Sequence, residues 1–159
     1  MKIKTAFLFS LLLLIGIKIQ AQTPALNQKI IKYVALQIGK QVDRGECWDL
    51  AYEALTKNKC AWDGKYGYGK KLNLKTDTIY IGDIIQFTNV TIKYTANGAI
   101  YKETFKHHTA IVYEVIGPGN FKIAHQNNGF SGKKVGISVL KLSNKISGTI
   151  EIYRPQPKT

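Results

Sequence analysis

The feature that most constrains the fold is a change in hydrophobic periodicity near Ile79. Before it, apolar residues recur at helical spacing in two segments, and after it apolar and polar residues alternate as they do in strands. The Asn97-Gly98 pair adds a hairpin signal between two of these strands. Helices followed by a run of strands indicate an α+β domain, with N-terminal helices packed on a curled antiparallel sheet of about six strands.

Two helices are expected before this change. Thr23-Pro24 is typical of the start of a helix, which would run to about Gly39. The second helix is expected from about Glu46 to Lys57, with Cys47 on its inward side. The segment 58–78 is rich in Gly, Lys and Tyr and predicts a long loop at the rim of a cleft.

The first residues have the layout of a secretory signal peptide. Met1–Lys4 is basic, Ala6–Ile17 is apolar, and Ala21 is a small residue suited to cleavage. Lys18 ends the apolar run too early for an anchoring transmembrane helix, which needs about 20 apolar residues. The sequence therefore predicts a signal peptide at 1–21, a single domain at 22–159 without a membrane anchor, and a secreted or periplasmic location.

The chain is strongly basic, with a formal net charge of +13 at pH 7. A basic exported protein favours anionic cell-envelope polymers as partners. The lysines are spread along the chain in short runs such as Lys70-Lys71, and no recognised nucleic-acid module is present. No specific nucleic-acid function is predicted.

The two cysteines, Cys47 and Cys60, are expected to stay unpaired. They are thirteen residues apart, and most of the segment between them is predicted to be helical. That places their Cα atoms roughly 15–20 Å apart, whereas a disulfide needs less than about 7 Å.

Cys47 stands at the start of the second predicted helix. The positive end of the helix dipole lowers the pKa of a thiol there, which favours a nucleophilic thiolate. The alternative is that Cys47 is a small buried apolar residue, as free cysteines commonly are.

Histidines on the predicted strands can complete a catalytic group with Cys47. Alternation in a strand gives His108 and Ala110 one face, which we expect to lie towards a helix, and His107 the other. The next strand carries His125 and Asn127 on one face, and either side chain would orient the far nitrogen of His108.

A metal site is the competing interpretation of these residues. Cys47, His107, His108 and His125 are all of zinc-binding type. However, adjacent histidines face opposite ways in a regular strand, and no Cys-x-x-Cys or His-x-x-x-His pair exists. Neither a metal nor a cofactor is predicted.

Four motifs, taken in order, resemble the CHAP and NlpC-type superfamily of papain-like cysteine amidases and peptidases. They are Gly45–Leu50, Gly82–Phe87, His108–Val112 and His125–Asn127. The run Gly-Glu-Cys-Trp-Asp-Leu-Ala, together with His-His-Thr-Ala, His-Gln-Asn and a closing Tyr-Arg-Pro, is closer to the cysteine-proteinase-fold domain of fungal actin-patch adaptor proteins.

The superfamily resemblance implies a papain-like fold and acyl-transfer chemistry. Cys47 would be the nucleophile and His108 the general base, with His125 or Asn127 as the third member. Gln41 lies six residues before Cys47, as the oxyanion-hole glutamine of papain-like enzymes does. His125 stands where CHAP enzymes usually have Glu, although NlpC-type enzymes commonly use a histidine there.

Two functions follow from these resemblances. The first is an exported cysteine amidase or endopeptidase that cleaves amide bonds, with peptidoglycan peptides as the expected substrate. The second is a non-catalytic papain-fold module that binds a peptide or protein partner.

Overall fold

Two N-terminal helices precede the sheet in a computed structural model that describes residues 23–158. The predicted signal peptide therefore lies outside the described residues. Helix α1 spans Ala25–Ala35 and helix α2 spans Asp49–Lys57. No helix within residues 23–158 has the length and apolarity needed to cross a bilayer.

Helix α1 follows its amphipathic pattern but is shorter than predicted. Ile30 and Val34, one turn apart, are fully buried. The helix ends at Ala35, because Ile38 leaves the helical path to form a bridge with Val135. The predicted end at Gly39 is therefore corrected, and the chain after α1 is tied to the sheet instead.

The strands form one six-stranded antiparallel sheet and one small two-stranded sheet. In the large sheet the order is β2-β7-β3-β4-β5-β6, and the small sheet pairs β1 with β8. The strands are β1 Cys60–Ala61, β2 Lys70–Lys71, β3 Ile84–Ala96, β4 Ala99–Gly117, β5 Asn120–His125, β6 Gly136–Lys141, β7 Lys145–Arg154 and β8 Gln156–Pro157. The prediction of an α+β domain with a sheet of about six antiparallel strands is confirmed.

The two faces of the sheet bury two separate apolar clusters. Ile84 and Ile111 face the helices and pack with Ile30 and Leu50. The next residue along each strand belongs to the cluster on the other face, which includes Ile85, Phe87, Ala110, Val112 and Phe121. Ala110 is thus on the face away from the helices, and the prediction that it lets a helix approach the sheet is wrong.

The segment 58–78 is more ordered than a long loop. Strands β1 and β2 pair with β8 and β7. Tyr68 is fully buried, with its ring centroid 6.1 Å from that of Trp62 and 6.0 Å from that of Tyr153. Aromatic packing therefore anchors the middle of this segment to the helix face.

Strand β7 is connected to helix α1 through a buried carboxylate. Asp83 is fully buried and accepts hydrogen bonds from Arg154 Nη2 at 2.8 Å and from Asn27 Nδ2 at 2.7 Å. Gly82 has a φ of +81°, and a Cβ there would lie 2.6 Å from the main-chain oxygen of Asn27. Both residues of the Gly82-Asp83 turn thus serve close packing between α1 and the sheet.

Candidate functional site

Cys47 lies in a turn before helix α2 rather than within its first turn. The helix begins at Asp49, two residues after the cysteine, so the predicted start at Glu46 is corrected. The carboxylate of Asp49 is buried and accepts hydrogen bonds from Arg44 Nη2 and from the main-chain N–H of Glu46, both at 2.9 Å. A carboxylate, not a thiolate, therefore occupies the positive end of this helix.

The thiol of Cys47 packs against the main chain of β4 beside His108. Its Sγ lies 3.9 Å from the main-chain oxygen of His107, and the main-chain N–H of Thr109 also approaches it. This edge of β4 is open because β5 ends at His125 and its pairing with β4 begins only at Ile111, whereas β3 pairs with β4 along the other edge. Within residues 23–158 the thiol makes no hydrogen bond to an imidazole.

The surroundings of Cys47 favour the neutral thiol. Burial raises the pKa of the Cys47 thiol above its ordinary value, and the nearby Glu46 carboxylate raises it further. The main-chain N–H groups of Thr109, Cys47 and Trp48 oppose this rise without cancelling it. The lowered pKa expected from a helix N-terminus is not what this environment produces.

His108 and His125 are brought together as predicted. His108 Nε2 and His125 Nδ1 are 2.8 Å apart, and both side chains are nearly fully buried. The ring of His108 packs on Phe87 and Phe105, which belong to or contact the cluster away from the helices. The expectation that His108 faces helix α2 is therefore wrong, although the main chain of its neighbours His107 and Thr109 contacts Cys47.

Both imidazoles are held in the neutral form. Burial lowers the pKa of His108 to about 4. Burial, and secondly the charge of His108, lowers the pKa of His125 to about 3. A thiolate–imidazolium pair needs a lowered thiol pKa and a charged histidine. Here the pKa of the Cys47 thiol is raised and that of His108 is lowered, so both shifts oppose such a pair.

The two remaining predicted site residues, Asn127 and Gln41, make their hydrogen bonds to groups other than Cys47 and the two buried histidines. Asn127 donates from Nδ2 to the Glu46 carboxylate at 2.8 Å and has a φ of +57°. Gln41 is exposed and donates from Nε2 to the main-chain oxygen of Asp43 at 3.1 Å. Neither side chain makes a hydrogen bond to Cys47, His108 or His125 among the described residues, and their proposed catalytic roles stay predictions.

Gln126 is the residue that sequence reasoning passed over. It is fully buried and its Nε2 donates to the main-chain oxygens of Val42 at 3.0 Å and Glu46 at 2.8 Å. Its Oε1 accepts from the main-chain N–H of Val42 at 3.1 Å. Because side chains alternate along an extended chain, a glutamine between His125 and Asn127 points to the face opposite to theirs. This alternation is the sequence signal that could have predicted its contact with the loop carrying Cys47.

A second buried polar group lies on the Cys47 side of β4. Thr109 Oγ1 is 3.0 Å from Tyr68 Oη and 2.8 Å from Gln86 Oε1, and all three residues are nearly fully buried. Burial is the main cause that raises the pKa of Tyr68 to about 12. This group fixes the wall of the sheet next to the thiol with neutral, fully hydrogen-bonded side chains.

An aromatic groove opens at Trp48, the residue after Cys47. It has a cavity of about 270 Å³ lined by Trp48, Gly64, Lys65 and Tyr66. The Tyr66 ring is 49% exposed and stacks on His107, with 5.3 Å between the ring centroids. Trp48 in turn packs edge-on against Tyr52 at 5.6 Å. We call these four lining residues and His107 the Cys47 groove.

The two cysteines are not bonded to each other, and the candidate metal ligands do not form a cluster among the described residues. Cys47 and Cys60 are both free, as predicted. Within residues 23–158 no three of the His, Cys, Asp and Glu side chains are grouped so that they would hold a metal ion.

The comparisons with known proteins agree with this architecture. Residues 18–159 match the family described as the AIM3/BBC1 cysteine proteinase-fold domain. Over 139 residues the chain is 32% identical to Altered inheritance of mitochondria protein 3 from Debaryomyces hansenii. The aligned region covers 76% of this chain and 15% of that protein. The chain thus spans a small part of its curated relative.

Two solved structures are similar at lower levels. The crystal structure of Ly7917 shares 17% identity at a TM-score of 0.48, covering 80% of this chain and 62% of the other. The structure of Ly7917 with the hydrolyzing product of MDP shares 20% identity at a TM-score of 0.45, covering 81% and 63%. The family match extends over all of the described residues, and the predicted papain-like α+β fold is confirmed. The chain belongs to the AIM3/BBC1 cysteine proteinase-fold domain family.

Proposed function

We propose that this domain is a non-catalytic papain-fold module that binds a peptide or protein partner in the Cys47 groove. The observation that carries the proposal is the state of the thiol. Its pKa is raised by burial, and its hydrogen bond goes to the main-chain oxygen of His107 instead of an imidazole. A nucleophilic cysteine needs the reverse arrangement.

The groove has the composition of a recognition surface. Trp48 and Tyr66 offer aromatic area beside the thiol, and aromatic residues are enriched among the residues that carry binding energy. Lys65 lines the same cavity, and Arg44 lies over the Trp48 ring at 5.6 Å. The partner expected from this chemistry is an extended peptide segment with an aromatic or apolar side chain next to an acidic one.

A cysteine hydrolase is the second candidate function. The hydrogen bond between His108 and His125 favours it, because it matches the contact between a general base and its orienting residue. In that case Cys47 would be the nucleophile and His108 its base, which requires a rearrangement that brings the thiol to the imidazole, and peptidoglycan peptides would be the substrates. Export of the chain and binding to anionic cell-envelope polymers remain predictions from the sequence.

A selection from a displayed peptide library separates the two functions. The full chain is immobilised, the enriched peptides are synthesised, and their affinity is measured for wild type, Tyr66→Ala and Cys47→Ala. Tyr101→Ala is the matched control, because Tyr101 is also a half-exposed tyrosine but lies on the β3–β4 hairpin. Binding that falls at least tenfold in Tyr66→Ala, with Cys47→Ala and Tyr101→Ala unchanged, supports the module.

Two results would contradict it. Cleavage of the enriched peptides by wild type, with none by Cys47→Ala, would establish the hydrolase instead. Enriched peptides whose affinity is the same for Tyr66→Ala and Tyr101→Ala would place the binding surface away from the groove.

A further inference from the structure

Ser138 is the end of a chain of three hydrogen-bonded side chains on the face of the sheet away from the helices. Its Oγ is 2.8 Å from His125 Nε2, and His125 Nδ1 is 2.8 Å from His108 Nε2. A hydroxyl, a histidine and an orienting residue joined in this order form the arrangement that activates a serine nucleophile. The Cys47 groove uses none of these imidazole nitrogens.

The ring nitrogens can be assigned consistently along the chain. If the Ser138 hydroxyl donates to His125 Nε2, then His125 carries its proton on Nδ1 and donates it to His108 Nε2. Both imidazoles are neutral, so each has one donor and one acceptor nitrogen, as this direction requires. His108 is fixed in place by Phe87 and Phe105, which hold its ring for this contact.

The serine faces a cavity of a size suited to a small molecule. Its volume is about 440 Å³, and His125 and Ser138 lie in its wall with Phe105, Phe130 and Gly129. Ser138 is half-buried and lies on β6, which is an edge strand of the sheet, whereas His125 is only 3% exposed. The hydroxyl is therefore reachable while its histidine partner is shielded from water.

Gly129, Phe105 and Phe130 also line this cavity. The main-chain N–H of Gly129 makes no hydrogen bond to any other residue in the range 23–158. Aromatic side chains of Phe105 and Phe130 provide apolar surface for the rest of a ligand, and Phe130 is 78% exposed. The pocket combines a hydroxyl nucleophile, a base and apolar walls.

We propose that Ser138 is a nucleophile that accepts acyl groups from small esters with an apolar or aromatic part, with His125 as its base and His108 as the residue that orients His125. Ser138 Oγ forms a bond to the ester carbonyl carbon while its proton passes to His125 Nε2. The ester C–O bond then breaks, and His125 returns the proton to the leaving alcohol. Water releases the acyl group as a carboxylic acid by the reverse proton transfers.

The weak basicity of His125 sets the expected rate. A general base works best when its pKa is near the operating pH, and burial holds the pKa of His125 at about 3. Turnover of an ester should therefore be slow, and covalent labelling is the more sensitive measurement. This site is independent of the peptide-binding role proposed for the Cys47 groove.

The experiment is to incubate the full chain at pH 7 with a fluorophosphonate probe and locate the adduct by peptide mass spectrometry. The serine–phosphorus bond forms as fluoride leaves, and the proton goes to His125. We expect the label on Ser138, its loss in Ser138→Ala, and at least a tenfold slower reaction in His125→Gln. Ser147→Ala is the matched control, because Ser147 is an exposed strand serine with no histidine contact among the described residues, and it should react as wild type does.

Hydrolysis of 4-nitrophenyl butyrate provides the second readout, with an initial burst expected that disappears in Ser138→Ala. Wild-type protein that carries no more label on Ser138 than on Ser147 would overturn the proposal without any variant. An unchanged labelling rate in a folded His125→Gln protein would overturn the role of the base.

Discussion

Gln126, the residue after strand β5, and Val42, in the loop before helix α2, exchange two hydrogen bonds. The side-chain amide of Gln126 accepts from Val42 N at 3.1 Å and donates to Val42 O at 3.0 Å. The amide also donates to Glu46 O, one residue before Cys47. A single buried side chain therefore sets the position of the loop that carries the thiol.

Replacing Gln126 with Leu should destabilise the domain and loosen this loop. The substitution leaves three main-chain groups without their partner, so we expect a loss of about 3 kcal/mol in the free energy of unfolding. Urea denaturation measures this loss, and alkylation of Cys47 by iodoacetamide should become faster. Gln41→Leu is the control, because Gln41 is exposed and makes one bond, and it should cost less than about 0.5 kcal/mol. Equal stabilities of the two variants would contradict this role for Gln126.

The thiol of Cys47 should behave as a weakly acidic group. Because burial and Glu46 raise its pKa, the alkylation rate should be low at pH 7 and should rise with each unit of pH above it. Cys60 is an internal reference whose pKa is raised to about 11 by burial, so it should react more slowly still. The rates follow from peptide mass spectrometry between pH 5 and pH 10.

The same measurement tests the link between Cys47 and His108. Since the thiol is bonded to a main-chain oxygen and not to the imidazole, His108→Ala should leave the pH dependence of Cys47 alkylation unchanged. A reactive plateau that extends to pH 5 and is lost in His108→Ala would instead show an ion pair and favour the hydrolase.

Stability should fall as the pH falls from about 6.5 to about 4. Burial lowers the pKa of both His108 and His125 in the folded state, so the unfolded chain binds more protons in this window. Each histidine contributes a slope of up to about 1.4 kcal/mol per pH unit. The measurement is urea unfolding at four pH values between 7.5 and 4.5.

Variants identify the source of that slope. His125→Asn should reduce the slope, with His108 still contributing, whereas His107→Asn should keep the slope, because His107 is exposed and stacks on Tyr66. A slope that is the same in both variants would assign the effect to other groups.

The periodicity of the sequence was sufficient for the architecture, and the site was predicted only in part. Alternation placed His108 with Ala110 and paired it with His125 on the neighbouring strand, as the structure has it. The direction of the sheet face was missed, because alternation gives which residues share a face but not which face the helices cover. Ile111, one position along, is the residue that packs with helix α1 and helix α2.

The position of Cys47 depended on a helix boundary, which sequence patterns locate poorly. Asp49 is an acceptor for the Glu46 main-chain N–H, and this contact delays the start of α2 by three residues relative to the prediction. Ser138 carried no signal at all, because a serine in a strand is common and its contact with His125 comes from the pairing of β5 with β6. A local sequence pattern does not determine strand register, so it cannot predict contacts that depend on that register.

The contact between Arg154 and Asp83 is the ion pair best shielded from water among residues 23–158. Arg154 donates two hydrogen bonds to the carboxylate, from Nε at 3.1 Å and from Nη2 at 2.8 Å. The carboxylate also accepts from Asn27 Nδ2 and from Tyr80 N. The side chain of Asp83 is 0% exposed and that of Arg154 is 18% exposed, so the pair is shielded from water.

Arg154→Ala should therefore cost about 3–5 kcal/mol in the free energy of unfolding, because it leaves a buried charge without its partner. Lys122→Ala is the control, since Lys122 and Glu114 form an ion pair with side chains 42% and 49% exposed, and the expected cost is below about 1 kcal/mol. Urea denaturation of both variants at pH 7 gives the comparison. Asp83→Asn/Arg154→Ala should recover part of the loss relative to Arg154→Ala, because it removes the unpaired charge while its one acceptor oxygen keeps one of the two contacts with Asn27 Nδ2 and Tyr80 N. A double variant less stable than Arg154→Ala would show that the loss came from packing of the arginine rather than from the buried carboxylate.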